Sequence, residues 1–166
     1  GGGGGGGDFN HQQQASRQQK KDQRNKREEP PPSSSDVVVT LGRRLIYSHH
    51  IINPQKRAAV VNWAVELGLS GCSKIGWPGV IVVEGLESNV SLYVELLSKL
   101  RWKNLTVRGE QTVMGRPGEH LDHLRAFPKG FQEFGVHSMP EFAKLVRSVG
   151  LDELLQTLFK RYPPQT

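Results

Sequence analysis

The sequence predicts an α+β fold, and three observations lead to this class. The run Val80–Val83 is entirely β-branched and has no polar face, which is typical of a strand covered on both sides. Around it, strand-like and helix-like patterns follow one another in the order β-α-β-β-α-β over residues 43–108. Two amphipathic helical patterns close the chain between residues 138 and 159. Together these features indicate a single sheet with helices packed against it.

The first predicted strand and helix occupy the segment that follows a short β-prone run at Val37–Thr40. Arg43–Ser48 alternates in a way that predicts a strand. Asn53 is expected to cap a helix, because its side-chain oxygen can accept from the first free backbone amides. The helix is predicted from Pro54 to about Leu67, and Gly68 suits the position just after its end.

A hairpin and a second helix are predicted next. Ser70–Ile75 is weakly strand-like and interrupted by glycine, so we expect it at an edge of the sheet. A tight turn at Gly76–Gly79 would join it to the Val80–Val83 strand. Ser88 is expected to cap a helix that reaches about Leu100, and Asn104–Arg108 is predicted as a further strand.

This element order is that of a ferredoxin-like sandwich. Two right-handed crossovers would place both helices on one face of an antiparallel sheet and leave the other face open. The strand side chains expected to face the helices are Leu45, Tyr47, Leu105 and Val107. The side chains expected on the open face are Arg44, Ser48, Thr106 and Arg108.

A C-terminal extension of one strand and two helices follows the sandwich pattern. Residues 109–126 have no clear period and are predicted as a mobile loop, and Phe131–Val136 is predicted as a strand. Ser138 and Glu141 have the spacing of a capping box, which predicts the start of a third helix. The last predicted helix covers Asp152–Phe159.

Composition separates a tail from the domain. The 166-residue chain carries a net charge of +6. Residues 1–35 contain almost no large apolar side chains, so we predict a disordered low-complexity tail there and a folded domain over residues 36–166. One cysteine excludes an intrachain disulfide, and no apolar run approaches the ~20 residues that cross a bilayer. We therefore expect no membrane partner and a cytoplasmic or nuclear protein.

Residues with catalytic or metal-binding chemistry are few and poorly grouped. His49, His50, His120 and His123 would need to converge from distant segments to form a zinc site, and packed or solvated histidines explain them better. Cys72 lies in a predicted strand with no orienting acid or oxyanion motif beside it. We predict no catalytic residue, metal, cofactor or small-molecule substrate. A pocket that held His49, His50 and Cys72 together would favour an enzyme.

Several separated segments resemble one family. They are Ile46-Tyr-Ser-His-His-Ile51, Lys56-Arg57, Leu69-Ser-Gly71, Gly76-Trp-Pro-Gly-Val-Ile81, Val83-Glu-Gly85, Leu100-Arg-Trp102 and Phe131-Gln-Glu-Phe134. They are similar to the domain shared by the C-terminus of pre-mRNA processing factor three, a spliceosomal protein, and the C-terminal half of the RWD domain-containing protein two group. The resemblance covers roughly residues 43–160 and looks closer to the RWD-protein branch.

The resemblance implies a ferredoxin-like fold with a C-terminal extension. In the spliceosomal branch it implies binding to small nuclear RNA, and in the RWD-protein branch it implies no settled activity. It also implies an RWD domain upstream, which residues 1–35 do not resemble.

Two functional hypotheses remain open after the sequence is read. The first is a non-enzymatic module that binds RNA through phosphate-directed contacts, since residues 99–129 hold seven basic and three acidic side chains. Charge and predicted topology select the candidate RNA-binding residues Arg44, Lys56, Arg57, Lys103 and Arg108. The second is a protein-interaction adaptor that uses the helices at 138–159 and the loop at 109–126. An exposed apolar patch on those helices would favour the adaptor.

Overall fold

The computed structural model describes residues 36–159, and a sheet lies at its centre. The strands are Thr40–Ser48 (β1), Ser70–Lys74 (β2), Gly79–Leu86 (β3), Leu105–Met114 (β4) and Phe131–Phe134 (β5). The α-helices are Pro54–Glu66 (α1), Glu87–Ser98 (α2), Met139–Ser148 (α3) and Asp152–Phe159 (α4), and Leu121–His123 forms a 3-10 turn. The predicted disordered tail, residues 1–35, lies outside the described residues.

The sheet has the strand order β4-β1-β3-β2-β5. The first four strands pair antiparallel, as the ferredoxin-like pattern requires, and β5 adds to β2 in parallel. The predicted α+β class and topology are therefore confirmed. The placement of β2 at an edge was wrong, because the C-terminal extension supplies one more strand beyond it.

Helices cover both faces of the sheet, so the predicted open face does not exist. On one face, Ile46 and Ile81 pack with Tyr93 of α2 in a core that also takes residues of α1. On the other face, Leu45 and Val82 pack in a second core with residues of α3 and α4. The sheet is thus the middle layer of three, which explains why Val80–Val83 has no polar face.

The facing of β1 is the reverse of the prediction, with Ile46 toward α1 and α2 and Leu45 toward α3 and α4. The prediction assumed one buried face, and alternation cannot choose a face when both are buried. On β4, packing of Leu105 and Val107 against the α1–α2 core agrees with the prediction. A bulge between Leu45 and Ile46 shifts the β1–β4 register, which pairs Ile46 with Val107 and Leu45 with Gly109.

Helix starts follow the sequence signals only in part. The Asn53 side chain accepts from the backbone amides of Gln55 and Lys56, as predicted. Ser88 is not a cap, because α2 begins at Glu87 directly after β3. Ser138 occupies the N-cap position of α3, but its side chain makes no capping bond there.

The segment predicted as a mobile loop is largely ordered by pairing and by buried polar contacts. β4 continues through it to Met114, and the 3-10 turn follows at Leu121–His123. The backbone amides of Ala126 and Phe127 donate to the buried carboxylate of Glu84. Within residues 36–159, no helix has the length and apolar composition needed to cross a membrane.

Candidate nucleic-acid interface

Arg44 is buried in the sheet and does not present its charge to solvent. The residue is 8% exposed, and its guanidinium donates to both carboxylate oxygens of Glu87 at the start of α2. Its Nε also lies 3.4 Å from a carboxylate oxygen of Glu110. A guanidinium held by two carboxylates is a structural ion pair, so the geometry corrects the assignment of Arg44 to an open, phosphate-binding face.

Arg108 lies on the opposite face of the sheet from Arg44. Its guanidinium carbon is 3.6 Å from the ring centroid of Tyr47, and its Nη1 donates to the Leu158 carbonyl at the end of α4. The proposed pairing of Arg44 and Arg108 on one surface was therefore wrong. The physical reason is strand alternation: Arg44 lies on the same side of β1 as Ile46, toward α1 and α2, whereas Arg108 alternates with Val107 on β4 and lies toward α3 and α4.

Arg57 is paired across the sheet edge. Its Nη2 donates to Glu133 of β5 at 2.8 Å. The hydrogen bond and the charge of Glu133 raise the pKa of the Arg57 guanidinium. This pair ties α1 to β5, and its charge is balanced.

The remaining predicted cations, Lys56 and Lys103, lie at one end of the sheet. We call this end the loop end and define it as residues 49–57, 75–79 and 99–104. Lys56 connects two of the segments, since its Nζ donates to the Arg101 carbonyl and lies 5.0 Å from the Trp102 ring centroid. Lys103 is exposed.

Backbone contacts hold the three segments of the loop end together. The His49 amide donates to the Asn104 carbonyl at 3.3 Å. Ile51 and Gly76 exchange two backbone hydrogen bonds of 3.0 and 2.8 Å. The loop end is therefore one continuous surface, although its segments lie far apart in sequence.

Aromatic rings form a row across the loop end. The ring centroids of His49 and His50 are 5.5 Å apart, and those of His50 and Trp77 are 6.1 Å apart. The Trp77 residue is 59% exposed. The Nδ1 atom of His50 is buried with no hydrogen-bond partner among the described residues. Rings presented in this way can stack on planar groups.

Lys74 holds the turn that carries Trp77. Its residue is 1% exposed, and its Nζ donates to the carbonyls of Trp77 and Pro78 at 3.0 Å each. Burial lowers the pKa of the Lys74 ammonium. The backbone that carries the exposed ring is thus held by a buried ammonium group.

The loop end carries no carboxylate of its own. Residues 49–57, 75–79 and 99–104 contain no Asp or Glu. Two of its cations are balanced from outside, Arg57 by Glu133 and Lys99 by Glu95 at 3.6 Å. The surplus is carried by Lys56, Arg101 and Lys103.

Sequence reasoning missed the rings and Arg101. Trp77 was interpreted as part of a turn and of a family motif, and His49 and His50 were weighed as zinc ligands and as packed or solvated residues, but none was predicted to stack on RNA bases. The absence of acids from three segments was visible in the sequence, but their convergence was not. Their contacts depend on the bridge between Ile51 and Gly76.

The environment of Cys72 does not suit a nucleophile. The thiol is fully buried in the core formed with α3 and α4, and burial raises its pKa to about 12. Within residues 36–159, no three His, Cys, Asp or Glu side chains are grouped so as to hold a metal ion.

Residues 44–147, from β1 into α3, match the family of the small nuclear ribonucleoprotein Prp3 C-terminal domain. The chain belongs to this family. The match includes β2 to β5, the second half of β1 and the whole loop end. The spliceosomal part of the resemblance stated from the sequence is therefore confirmed.

One curated relative of this Prp3-type domain is the phomoidride biosynthesis cluster protein F of a fungal species. It is 26% identical over 125 residues, which make up 69% of this chain and 41% of that protein. The chain thus spans about two fifths of the length of that relative.

Solved structures that this chain matches include a BLUF protein and an acylphosphatase. The BLUF protein BlrB, in its dark state, shares 18% identity at a TM-score of 0.50, over 72% of this chain and 92% of that one. The likeness to BlrB shows the fold alone. The acylphosphatase from Bacillus subtilis shares 20% identity at a TM-score of 0.36, over 56% of this chain and 97% of that one.

Proposed function

We propose that this Prp3-type domain is a non-enzymatic RNA-binding module and that the loop end is its binding surface. The observation that carries the proposal is the make-up of the loop end: it contributes no acidic residue, it exposes the Trp77 ring, and its cations Lys56, Arg101 and Lys103 form no ion pair within residues 36–159. Phosphate groups bind to cations, and unpaired bases stack on flat aromatic rings. The loop end presents both kinds of side chain.

Different residues of the loop end would contact the phosphates and the bases of the RNA. Lys56, Arg101 and Lys103 would contact phosphate oxygens, and the rings of Trp77 and His50 would stack on bases. Of the five cations predicted from the sequence, Lys56 and Lys103 keep the RNA-binding role. Arg44, Arg57 and Arg108 act in the fold through the contacts described above.

Family membership supports the proposal, because the Prp3 description is that of a small nuclear ribonucleoprotein. We further infer the RWD-protein branch from two segments, Tyr47-Ser-His-His50 and Trp77-Pro-Gly-Val80, which supply the rings of the loop end. A module of this kind would work in the nucleus or the cytoplasm, where RNA is present.

Fluorescence anisotropy with the full chain and a labelled single-stranded RNA tests the proposal across a salt series. We expect Lys103→Glu to weaken binding about fivefold and to reduce the salt slope by about one phosphate contact. Trp77→Ala should weaken binding by about 1–3 kcal/mol with little change in the salt slope.

The matched control is Lys144→Glu, which makes the same charge change on the exposed side of α3. This control should change the affinity by less than about twofold. If Lys103→Glu and Lys144→Glu weakened RNA binding equally, the loss would reflect net charge alone. That result would contradict the loop end as a defined binding surface. Absence of binding at low salt would contradict the RNA-binding function altogether.

The exposed apolar patch that would have favoured the adaptor hypothesis is not formed by the main apolar residues of the helices at 138–159. Phe142, Val146, Leu154, Leu155 and Leu158 are buried against the sheet. A protein partner remains a proposal, and a different part of the molecule supports it.

A further inference from the structure

Helix α1 has apolar side chains on two sides. Its inner side buries Val60 and Ala64 in the core. A second stripe consists of Pro54, Ala58, Val61 and Val65. Their spacing of four, three and four residues places them on one face of the helix, over about 16 Å.

This outer stripe is accessible. Val65 is 59% exposed, and Pro54 and Ala58 are also exposed. An ordinary surface helix shows a single apolar stripe, turned toward the core. The second stripe therefore has no explanation in the packing of residues 36–159.

Strand β5 forms an edge of the sheet beside α1. The carbonyls of Gly130 and Phe134 accept hydrogen bonds from Gly71 and Ile75 on the β2 side. Because the hydrogen-bonding direction alternates along a strand, the backbone groups of Phe131 and Glu133 point the other way. No other strand within residues 36–159 pairs with that side.

Two cavities lie along the stripe. The smaller has a volume of ≈ 240 Å³ and is lined by Pro54, Arg57, Ala58, Val61 and Glu133. The larger has a volume of ≈ 550 Å³ and includes Val65, Leu69, Leu121, Arg125 and Lys129 in its lining. With the stripe and the edge of β5 they define one surface, which we call the α1–β5 groove.

The groove is balanced in charge at one end and basic at the other. Arg57 and Glu133 neutralise each other in the smaller cavity. In the larger cavity Arg125 donates to protein groups, among them the Asp122 carboxylate at 2.8 Å.

Lys129 supplies the surplus charge at the basic end. Its side chain is 80% exposed, and its Nζ is 3.3 Å from the Asp122 carboxylate, which Arg125 already holds. The hydrogen bond from Arg125 is the main reason that the pKa of Asp122 lies below its usual value. Because Arg125 and Lys129 share the single carboxylate of Asp122, one positive charge is left unbalanced. A carboxylate of a bound partner could pair with Lys129.

We propose that the α1–β5 groove binds an extended segment of a partner protein. The segment adds to the edge of β5 as a sixth strand, with apolar side chains at alternate positions on the α1 stripe. An acidic residue of the segment meets Lys129. RNA suits the groove less well than the loop end, because Glu133 and Asp122 line it.

The probe is a phage-displayed library of random dodecapeptides selected on the full chain, followed by synthesis of the enriched peptides. We expect enriched peptides to alternate apolar and polar residues and to carry Asp or Glu. Their affinity should fall about tenfold with Val65→Glu and with Lys129→Glu. Hydrogen exchange at the amides of Phe131 and Glu133 should slow when a peptide binds.

The matched control is Leu92→Glu, which places the same carboxylate on an exposed apolar position of α2. It should change peptide affinity by less than about twofold. Three results would each overturn the proposal: no enriched peptide, peptide binding that both groove variants leave unchanged, or unprotected amides at Phe131 and Glu133. Because Pro54 and Arg57 belong to both surfaces, displacement of the peptide by single-stranded RNA would overturn it only if Val65→Glu, which lies outside the loop end, weakened RNA binding as much as peptide binding.

Discussion

The carboxylate of Glu84 shows how single residues position a long segment of this chain. It is fully buried and accepts from Arg43 Nε at 2.9 Å and from Ser70 Oγ at 3.0 Å. The amides of Ala126 and Phe127 donate to it at 3.0 and 2.7 Å. Every partner is a donor, so the site requires an acceptor that has no proton of its own to offer.

Replacement of Glu84 by glutamine should destabilise the protein strongly. The amide would turn NH₂ protons toward donors and leave the Arg43 guanidinium buried without its counter-charge, at a cost of about 3–5 kcal/mol. Urea unfolding of the full chain measures the change. Glu110→Gln is the control, since that carboxylate is 65% exposed and should contribute less than about 1 kcal/mol. Equal losses in the two variants would show that burial of Glu84 is energetically unimportant.

The thiol of Cys72 gives a second prediction at this scale. Burial raises its pKa to about 12, so alkylation at pH 8 should be slower in the native protein than in denaturant by about a hundredfold or more. Iodoacetamide labelling followed by mass spectrometry measures the rate. Because the folded pKa is raised, the thiol favours the folded state below its ordinary pKa near 9, and this contribution is lost as the pH rises toward 12. Fast native labelling would contradict the burial of Cys72.

At the scale of elements, local chemistry decides where α1 begins. Asn53 accepts from two backbone amides at 2.9 and 3.2 Å, and Pro54 occupies the first helical position. The start of α1 lies in the loop end, beside Lys56. A well-formed cap therefore positions part of the proposed RNA surface as well as the helix.

Loss of the cap should be measurable as a change in stability. Asn53→Ala leaves two amides without the side-chain acceptor and should cost about 1 kcal/mol in the free energy of unfolding. Asn62→Ala is the control, because Asn62 is exposed in the helix interior, where alanine is favoured. A loss no larger than that of the control would contradict a capping role. Chemical denaturation monitored by circular dichroism distinguishes these outcomes.

At the scale of the whole molecule, two cores share one sheet. Neighbouring side chains of β1, Leu45 and Ile46, belong to different cores. A change in the packing of one core should therefore also affect the other core, because β1 contributes side chains to both. We expect the two layers to unfold together rather than in sequence.

Phe142→Ala tests this coupling from the C-terminal side. The phenylalanine is fully buried and packs edge-to-face with Phe134 at 6.0 Å, so its truncation should cost about 3–5 kcal/mol. Far-ultraviolet circular dichroism and tryptophan fluorescence should shift to the same lower midpoint, since Trp63 packs in the other core. Separate midpoints would show that the C-terminal helices unfold independently. Val65→Ala, on the exposed stripe, should leave both midpoints almost unchanged.

Much of the fold could be predicted because its signals are local. The β-branched run at Val80–Val83, the Asn53 cap and the turn before β3 depend on residues close in sequence. The candidate site could be predicted only in part. Lys56 and Lys103 both belong to the loop end, whereas the shared open face predicted for Arg44 and Arg108 fails because helices cover both faces of the sheet and β1 faces the opposite way.

The sequence by itself determined the order of strands and helices, the ferredoxin-like topology and the family, because periodicity, turn chemistry and motif spacing are properties of neighbouring residues. Only the tertiary structure decided which charges reach solvent. Whether an arginine meets a carboxylate, a ring or water depends on residues more than 40 positions away, as the bonds from Arg43 to Glu84 and from Arg44 to Glu87 show. Long-range pairing and burial, which no local pattern specifies, therefore determine where this domain can bind.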